Sequence, residues 1–207
     1  VGNTIGNASN AVSLISYSYA TGPVSGTQNL GGFVGSIGQY SMIRNSYAMG
    51  TVSGTGNNVG GFVGYDDSRS NQKGRQYTFS TGRATGVGGN VGGSSGGMDS
   101  NSTGADNFWD KQTSSKTTSG GTSGGREIGK TTSELFSRYT YVNWANFDQN
   151  WIITGNLNNG YPALRYNNMI ELEDISFLPA TSQISMTLAD PDLDIQASEL
   201  SLTIISD

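Results

Sequence analysis

Two stretches of the chain nearly copy one another, and this repeat constrains the fold more than any other feature. Residues 18–27 and 31–35 return as residues 46–55 and 60–64, at offsets of 28 and 29 residues. A unit of this length, with short apolar runs separated by glycine, cannot bury its hydrophobic face alone and must stack on its neighbours. The repeat therefore predicts an all-β fold, a parallel β-helix (β-solenoid) of about three to four coils.

Stacking in register would place matching side chains of successive coils above one another. Short β-prone runs bounded by Gly, Asn or Ser are typical of solenoid strands, and the glycines supply the corners. The predicted columns are Tyr19 over Tyr47, Val24 over Val52, Phe33 over Phe62, and Val34 over Val63. Because each buried Phe or Val contributes roughly 1.5–3 kcal/mol, such columns would be the main stabilising contacts.

The repeats define a first region, residues 1–97, that is almost free of charge. Through residue 65 its one charged side chain is Arg44, which suits stacked strands, since like charges about 4.8 Å apart would repel. A third copy is eroded, because Ser94 and Ser95 replace the Phe-Val pair. A charged insert, Asp66 to Lys73, is predicted to protrude as a loop from one corner.

The second region, residues 98–168, is aromatic and contains all three tryptophans. Thr131 or Thr132 is a candidate N-cap for a short helix that includes Glu134 and Leu135. Because the open end of a solenoid exposes unpaired strands, this region is predicted to form an aromatic-rich cap.

The third region, residues 169–207, contains no glycine, no basic residue and eight acidic residues. Residues 183–188 and 199–204 alternate apolar and polar side chains, which predicts two strands with one buried face each. This acidic β-strand tail is interpreted either as the start of another domain or as a pair of strands that dock elsewhere.

Composition excludes several classes of enzyme. The chain has no histidine and no cysteine, which rules out a Ser-His-Asp triad, a Cys-His pair and a histidine-based zinc site within it. We therefore predict that it is not an enzyme. A net charge of −5 without a basic patch argues against nucleic acid as a partner. No apolar run reaches the ~20 residues of a membrane span, and Val1-Gly2 reads like the end of a preceding repeat, so the chain is interpreted as part of a larger protein.

The doubled motif at residues 31–35 and 60–64, each time preceded by Ser-Tyr-Ala-x-Gly-x-Val-Ser-Gly, resembles GLUG-motif repeats. Such repeats occur in secreted and surface-anchored bacterial proteins, including filamentous-haemagglutinin-like adhesins and some IgA-cleaving metallopeptidases. The resemblance extends to about residue 166, with Phe33 and Phe62 at the usual Leu position. The tail, with Asp190-Pro191-Asp192, resembles the opening of cadherin-like or Ig-like modules.

The resemblance implies a right-handed β-helix, an extracellular or cell-surface location, and an adhesive or stalk role. It implies no catalytic residue, since the zinc motif of the peptidase relatives needs histidine. The predicted function is therefore a non-enzymatic structural or adhesive segment, acting as a rigid spacer or a cell- or glycan-adhesion module. Its expected partners are a glycan or host surface, or copies of itself that form filaments through the C-terminal strands.

Four other readings stay open from the sequence. The alternate carboxylates Asp190, Asp192 and Asp194 resemble a calcium loop, although the EF-hand spacing is absent and no other cofactor is expected. A β-helix polysaccharide-degrading enzyme, or an accessory repeat module of a secreted peptidase, is the alternative function.

The enzyme reading requires Asp66, Asp67, Lys73 and Arg75 to converge in a cleft.

Two rows of side chains could also bind a ligand if they lay on the surface. Tyr19 and Tyr47 could form a stacked strip for a sugar, although a buried column is the simpler reading. Thr51, Ser53 and Thr55 alternate as in flat hydroxyl arrays that bind ice, but such an array needs more coils than the two clear repeats provide.

Overall fold

The computed structural model describes residues 2–4, 13–68, 74–120 and 126–165. Over these residues the fold is all-β, with parallel stacked strands that form a β-solenoid of about three turns, as the repeat predicts. The acidic tail, residues 169–207, lies outside the described residues, and so do its predicted strands and the aspartate trio.

The strands are short, and helices are confined to the part of the chain after residue 131. The strands are β1 (Asn3–Thr4), β2 (Ser13–Ser16), β3 (Tyr19–Ala20), β4 (Val24–Gly26), β5 (Leu30–Gly31), β6 (Val34–Ile37), β7 (Ser41–Ala48), β8 (Val52–Gly54), β9 (Val59–Gly60), β10 (Val63–Asp66), β11 (Arg75–Ser80), β12 (Ala84–Gly86), β13 (Val91–Gly92), β14 (Ser95–Met98), β15 (Gly104–Asp110), β16 (Glu127–Lys130), β17 (Trp151–Ile152) and β18 (Ala163–Leu164). The helices are α1 (Thr132–Leu135) and α2 (Phe147–Asn150), with 3₁₀ turns at Arg138–Tyr141 and Asn158–Gly160.

Each full coil contributes one strand to each of four parallel sheets. The longest, called here the long sheet, has the order β16-β15-β11-β7-β2, with β3 also paired to β7. The others are β12-β8-β4, β13-β9-β5 and β1-β6-β10-β14. The second coil, for example, runs through β7, β8, β9 and β10. Because β15 and β16 extend the long sheet, the stack continues past residue 97, where the sequence places the end of the repeats.

A left-handed residue bends each long strand at the same place. These residues are Tyr17, Asn45, Tyr77 and Asp106, with φ angles of 50°, 46°, 56° and 56°. The strand register skips this position on both partners of each pair, so the strands stay in register while the following side chains are re-aimed. As a result, Tyr47 faces outward from the coil while Ala48 faces the interior.

The interior of the first two coils is a stack of matching apolar side chains. The rings of Phe33 and Phe62 are stacked, with centroids 4.9 Å apart and planes 14° apart. Val34 pairs with Val63, and the neighbouring apolar side chains are buried with them. The motif glycines permit this packing: a Cβ at Gly60 would clash with the carbonyl oxygen of Val63.

The aromatic region packs on the flank of the stack. The segment of residues 131–165, called here the aromatic cover, lies against the outer face of the long sheet. Trp151 contacts Tyr47 and Phe79, and Trp144 stacks on Phe108 with centroids 5.7 Å apart. The sequence predicts a cap at an open end; the cover lies on the flank because the outward aromatic row of the long sheet is the apolar surface to be buried.

A different group of residues closes the last coil. Trp109 is buried in line with Ser80 and Ala48, and a Cβ at Gly93 would clash with its indole ring. The backbone of Thr118 and the hydroxyl of Ser119 satisfy the edge of the third coil, with hydrogen bonds from Gly93, Ser94 and Ser95 of 2.7–3.0 Å. Such pairing removes the exposed strand edge.

The stacked interior predicts a large difference between buried and exposed aromatic residues. Phe62→Ala removes the ring between Phe33 and Arg75 and is expected to lower the free energy of unfolding by about 3–5 kcal/mol. Tyr139→Ala is the control, because Tyr139 is 85% exposed, and its expected effect is within about 0.5 kcal/mol. Urea denaturation followed by tryptophan fluorescence measures both; equal losses would contradict the stacked core.

Candidate functional site

The structure brings all four predicted pairs together. Tyr19 pairs with Tyr47 and Val24 with Val52 in the register of the strands, as Val34 does with Val63. Phe33 and Phe62 stack between strands, as described above. Three of these columns lie in or against the interior and so serve the fold. The tyrosine column differs, because it lies on the outer face of the long sheet and Tyr19, its first member, is 49% exposed.

A buried polar cluster occupies the interior where the third coil departs from the repeat. Three residues take positions that are apolar in earlier coils: Arg75 pairs with Ile43, Asp66 with Ile37, and Ser95 with Val63. All three polar residues have no exposed surface. Together with Ser94 and Glu127 they form what is called here the interior charge cluster.

The contacts of Arg75 explain the loss of the Phe-Val pair. Its Nε donates to Asp66 Oδ2 at 3.2 Å, its Nη1 donates to Ser94 Oγ at 2.6 Å, and its Nη2 donates to Glu127 Oε1. Its guanidinium carbon lies 5.4 Å from the centroid of the Phe62 ring. The arginine thus continues the phenylalanine column, and a phenylalanine at position 94 would remove one of its acceptors.

The carboxylates of the cluster have further donors. Ser95 Oγ donates to Glu127 Oε2 at 2.9 Å, and Ser68 Oγ donates to Asp66 Oδ1 at 2.6 Å. Burial alone lowers the pKa of Arg75, but the facing carboxylates of Glu127 and Asp66 outweigh it and raise that pKa. The cluster is therefore a charged, hydrogen-bonded clamp between successive coils.

Asp66 and Arg75, two of the four candidate catalytic residues, do not line an open cleft. Asp66 and Arg75 contact each other in the closed interior, where a polymer cannot reach them. Asp66 is the last residue of β10, so it does not belong to the protruding loop that the sequence predicts. The backbone of Asp67 donates to Ile37 O at 2.8 Å, and Lys73 lies outside the described residues.

A second buried carboxylate, Asp110, joins three separate segments. Its Oδ2 accepts hydrogen bonds from Tyr161 Oη and Thr132 Oγ1, both at 2.7 Å. Its Oδ1 accepts from the backbone of Gln112 and Thr113 at 2.8 and 3.1 Å. Strand β15 of the long sheet, helix α1 and the end of the aromatic cover are thereby fixed to one side chain.

Helix α1 begins at the predicted place. Thr131 is its N-cap, and Thr131 and Glu134 form a capping box in which each side chain pairs with the backbone of the other. Thr132 instead bonds Asp110. Thr132, the other N-cap candidate from the sequence, therefore does not cap the helix but helps to hold it to Asp110.

The outer face of the first coil carries exposed apolar and aromatic side chains. Tyr19 stacks on Tyr47 with centroids 5.1 Å apart and planes 8° apart, but the aromatic cover contacts Tyr47 through Trp151. Leu14 on β2 is 57% exposed, and Tyr17, between β2 and β3, is 42% exposed. This group, with the partly exposed Arg44 next to it, is called here the open face.

The hydroxyl row forms a column through three coils. Ser25, Ser53 and Thr85 are paired in register on the sheet β12-β8-β4. The positions beside them are mixed, because Pro23 and Arg83 precede the first and third strands where Thr51 precedes the second. The surface is therefore not a uniform hydroxyl plane.

Sequence reasoning missed an asparagine column at one corner. Asn58 Nδ2 donates to Asn29 Oδ1 at 2.8 Å, and Asn90 Nδ2 donates to Asn58 Oδ1 at 3.0 Å. Asn29 and Asn58 have φ of 50° and 61°, which asparagine tolerates better than most residues. Its signal was an asparagine directly before each of Leu30, Val59 and Val91.

A recess of about 450 Å³ lies against the first coil. Residues 20–24 and 29–35 supply most of its lining, and five of the twelve lining residues are glycines. Thr21 and Asn29 are its polar side chains, and Asn29 already pairs with Asn58, so the recess offers little that could recognise a ligand.

Among the described residues, no group of three or more carboxylates could hold a metal ion. The calcium hypothesis for Asp190, Asp192 and Asp194 falls outside that part of the chain. In the same part, none of the helices is long and apolar enough to cross a membrane.

The family described as the GLUG motif matches residues 26–53. The match begins at the end of β4 and ends within β8, so it spans one full circuit of the solenoid. It supports a GLUG-repeat protein. No curated protein and no solved structure matches the chain.

The interior charge cluster predicts an asymmetric effect of substitutions. Arg75→Met leaves two buried carboxylates without their partner and is expected to cost about 3–5 kcal/mol of folding free energy. Adding Asp66→Leu and Glu127→Leu should recover most of that loss, because apolar residues then fill the space. Arg138→Met is the control, since its ion pair with Asp148 is exposed and its loss should destabilise the fold far less. Urea denaturation would contradict the clamp if the triple variant were the least stable.

The junction at Asp110 predicts a loss of stability at high pH. Burial, with help from Asp110, raises the pKa of Tyr161 from 10.0 to about 12. The folded chain therefore holds this proton more tightly than the unfolded chain, and the resulting stability is complete below pH 10 and lost as pH rises to 12. In Tyr161→Phe the decline in unfolding free energy between pH 10 and 12 should be smaller by about 1–3 kcal/mol. Tyr139→Phe should decline like the wild type in the same denaturant series.

Proposed function

We propose that the chain is a rigid, non-enzymatic structural module of an extracellular bacterial surface protein, able to carry an adhesive site on its flank. The observation that carries this proposal is the unbroken register of the stacked coils. Each described coil pairs with the next through parallel strands, while matched interior side chains join the first two coils and an asparagine column joins the first three.

The arrangement suits a spacer because its stabilising contacts repeat along the stack. In repeat proteins each unit contacts only its neighbours, so stability adds up along the array. Here the interior charge cluster and the aromatic cover also link the second, third and last coils. A GLUG motif is compatible with an extracellular repeat module, which supports the proposed location.

The placement of the buried carboxylates supports the proposal that the module is not an enzyme. Asp66, Glu127 and Asp110 each accept hydrogen bonds from side chains of the fold. Their acceptor groups serve structural contacts and have almost no exposed surface. Self-association through residues 169–207 stays a prediction, tested by electron microscopy of a chain that lacks them.

Pulling the chain by its two ends in an optical trap tests the proposed role as a spacer. The coils are expected to resist as one cooperative unit, because the cluster and the cover cross several coils. Phe62→Ala should lower the unfolding force, and Tyr139→Ala should not. Coils that peel off singly, or at equal force in both variants, would contradict the rigid module.

Incubation with a panel of bacterial and host polysaccharides tests the non-enzymatic part. No new reducing ends and no unsaturated products are expected after long incubation at high protein concentration. Release of either product, abolished by substitution of a carboxylate of this chain, would establish the enzyme reading instead.

A further inference from the structure

We propose that the open face binds an acidic sugar, with Arg44 pairing with its carboxylate and Tyr17 and Tyr19 supporting its ring. This inference rests on the proposed function, because it names the class of ligand that an adhesive flank of this module would hold.

Arg44 supplies the charge. It follows the interior residue Ile43 on β7, so strand alternation directs its side chain to the outer face of the long sheet. Its register partners on the two adjacent strands are Ser16 and Gln76. Its Nε is buried and has no hydrogen-bond partner among the described residues.

Because Nε has no exposed surface, a ligand from solvent would pair with the terminal Nη1 and Nη2 of this partly exposed side chain. A carboxylate fits best, because the planar guanidinium offers two parallel N–H donors that match its two oxygens. Arg44 is also the one charged side chain through residue 65. No acidic residue occurs in the first 65 residues, so neither the first coil nor the strand that carries Arg44 supplies a competing carboxylate.

The tyrosines supply an amphipathic platform beside this charge. The backbone N–H of Tyr17 donates to Arg44 O at 3.3 Å, which fixes the two residues side by side. Tyr19 is held flat by its stacking on Tyr47. Tyrosine combines a broad apolar ring with a hydroxyl and loses little conformational freedom on binding. A sugar ring, apolar on its faces and hydroxylated at its rim, matches that surface.

The size of the open face favours a small ligand over a protein. A stable protein interface buries about 800 Å² on each partner and involves about 20–30 residues a side. The open face offers three exposed apolar side chains, Leu14, Tyr17 and Tyr19, and one guanidinium. That set is enough for one or two sugar residues.

The test is calorimetric titration of the whole chain with trigalacturonate and with its methyl ester. The two probes share their rings and differ only in the carboxylate charge. The wild type should bind the acid at least about tenfold more tightly than the ester, as expected for a charge-assisted pair. Without that preference the proposal fails.

Variants assign the preference to the open face. Arg44→Gln should weaken binding of the acid about tenfold and leave the ester unchanged. Tyr19→Ala should weaken both probes. Arg83→Gln is the matched control, because Arg83 is exposed on a different sheet, and it should change neither. Equal loss in Arg83→Gln and Arg44→Gln would overturn the assignment. Thermal unfolding of each variant verifies that the fold is intact.

Two further outcomes separate this inference from the proposed function. Equal or tighter binding of a hexaglutamate peptide would assign the open face to an acidic peptide and overturn the sugar. The same titration samples are assayed for new reducing ends. Cleavage with Arg44-dependent binding would refute the non-enzymatic module and leave the sugar site standing. If neither probe bound and the chain still unfolded cooperatively under force, the sugar site would be refuted and the rigid module would stand.

Discussion

Parallel pairing of equivalent strands is the interaction on which everything else in this fold depends. Because each strand lies in register on the same strand of the neighbouring coil, a side chain has no choice about what lies above and below it. A residue that suits a stack of its own kind, such as Phe33 on Phe62, can therefore be used repeatedly. A residue that does not suit such a stack needs compensating side chains around it. This requirement separates the first coils, whose interior is uniform, from the last coils, whose interior is not.

The interior charge cluster illustrates how such a change is accommodated. Arg75 takes the place of an isoleucine, and the residues around it change with it: Ser94 and Ser95 leave room and accept or donate hydrogen bonds, while Asp66 and Glu127 balance the charge. A buried ion pair is rarely a net gain in stability over apolar packing. A hypothesis that accounts for its presence is register, because only one alignment of the coils satisfies all five groups.

The sequence predicted the columns of the first two coils because matching residues recur at a fixed offset. Asn29, Asn58 and Asn90 recur in the same way, so the same rule predicts their column. The placement of the aromatic cover was beyond such reasoning, because left-handed residues such as Asn45 and Tyr77 decide that Tyr47 and Phe79 face outward. Arg75 and Glu127 are 52 residues apart, and their pairing follows from three-dimensional stacking that no local pattern encodes.

The first and second coils match at most interior positions, with Asp66 against Ile37 as the exception, whereas the third and last do not. This difference has a consequence for how such proteins vary. A duplicated unit inserted at the junction of the first two coils would meet on each side the residues it already meets. A duplication that included Arg75 would create a second buried cation with no acid to match it. Related sequences can therefore differ in the number of N-terminal coils, while the C-terminal coils that hold the cluster should stay constant in number.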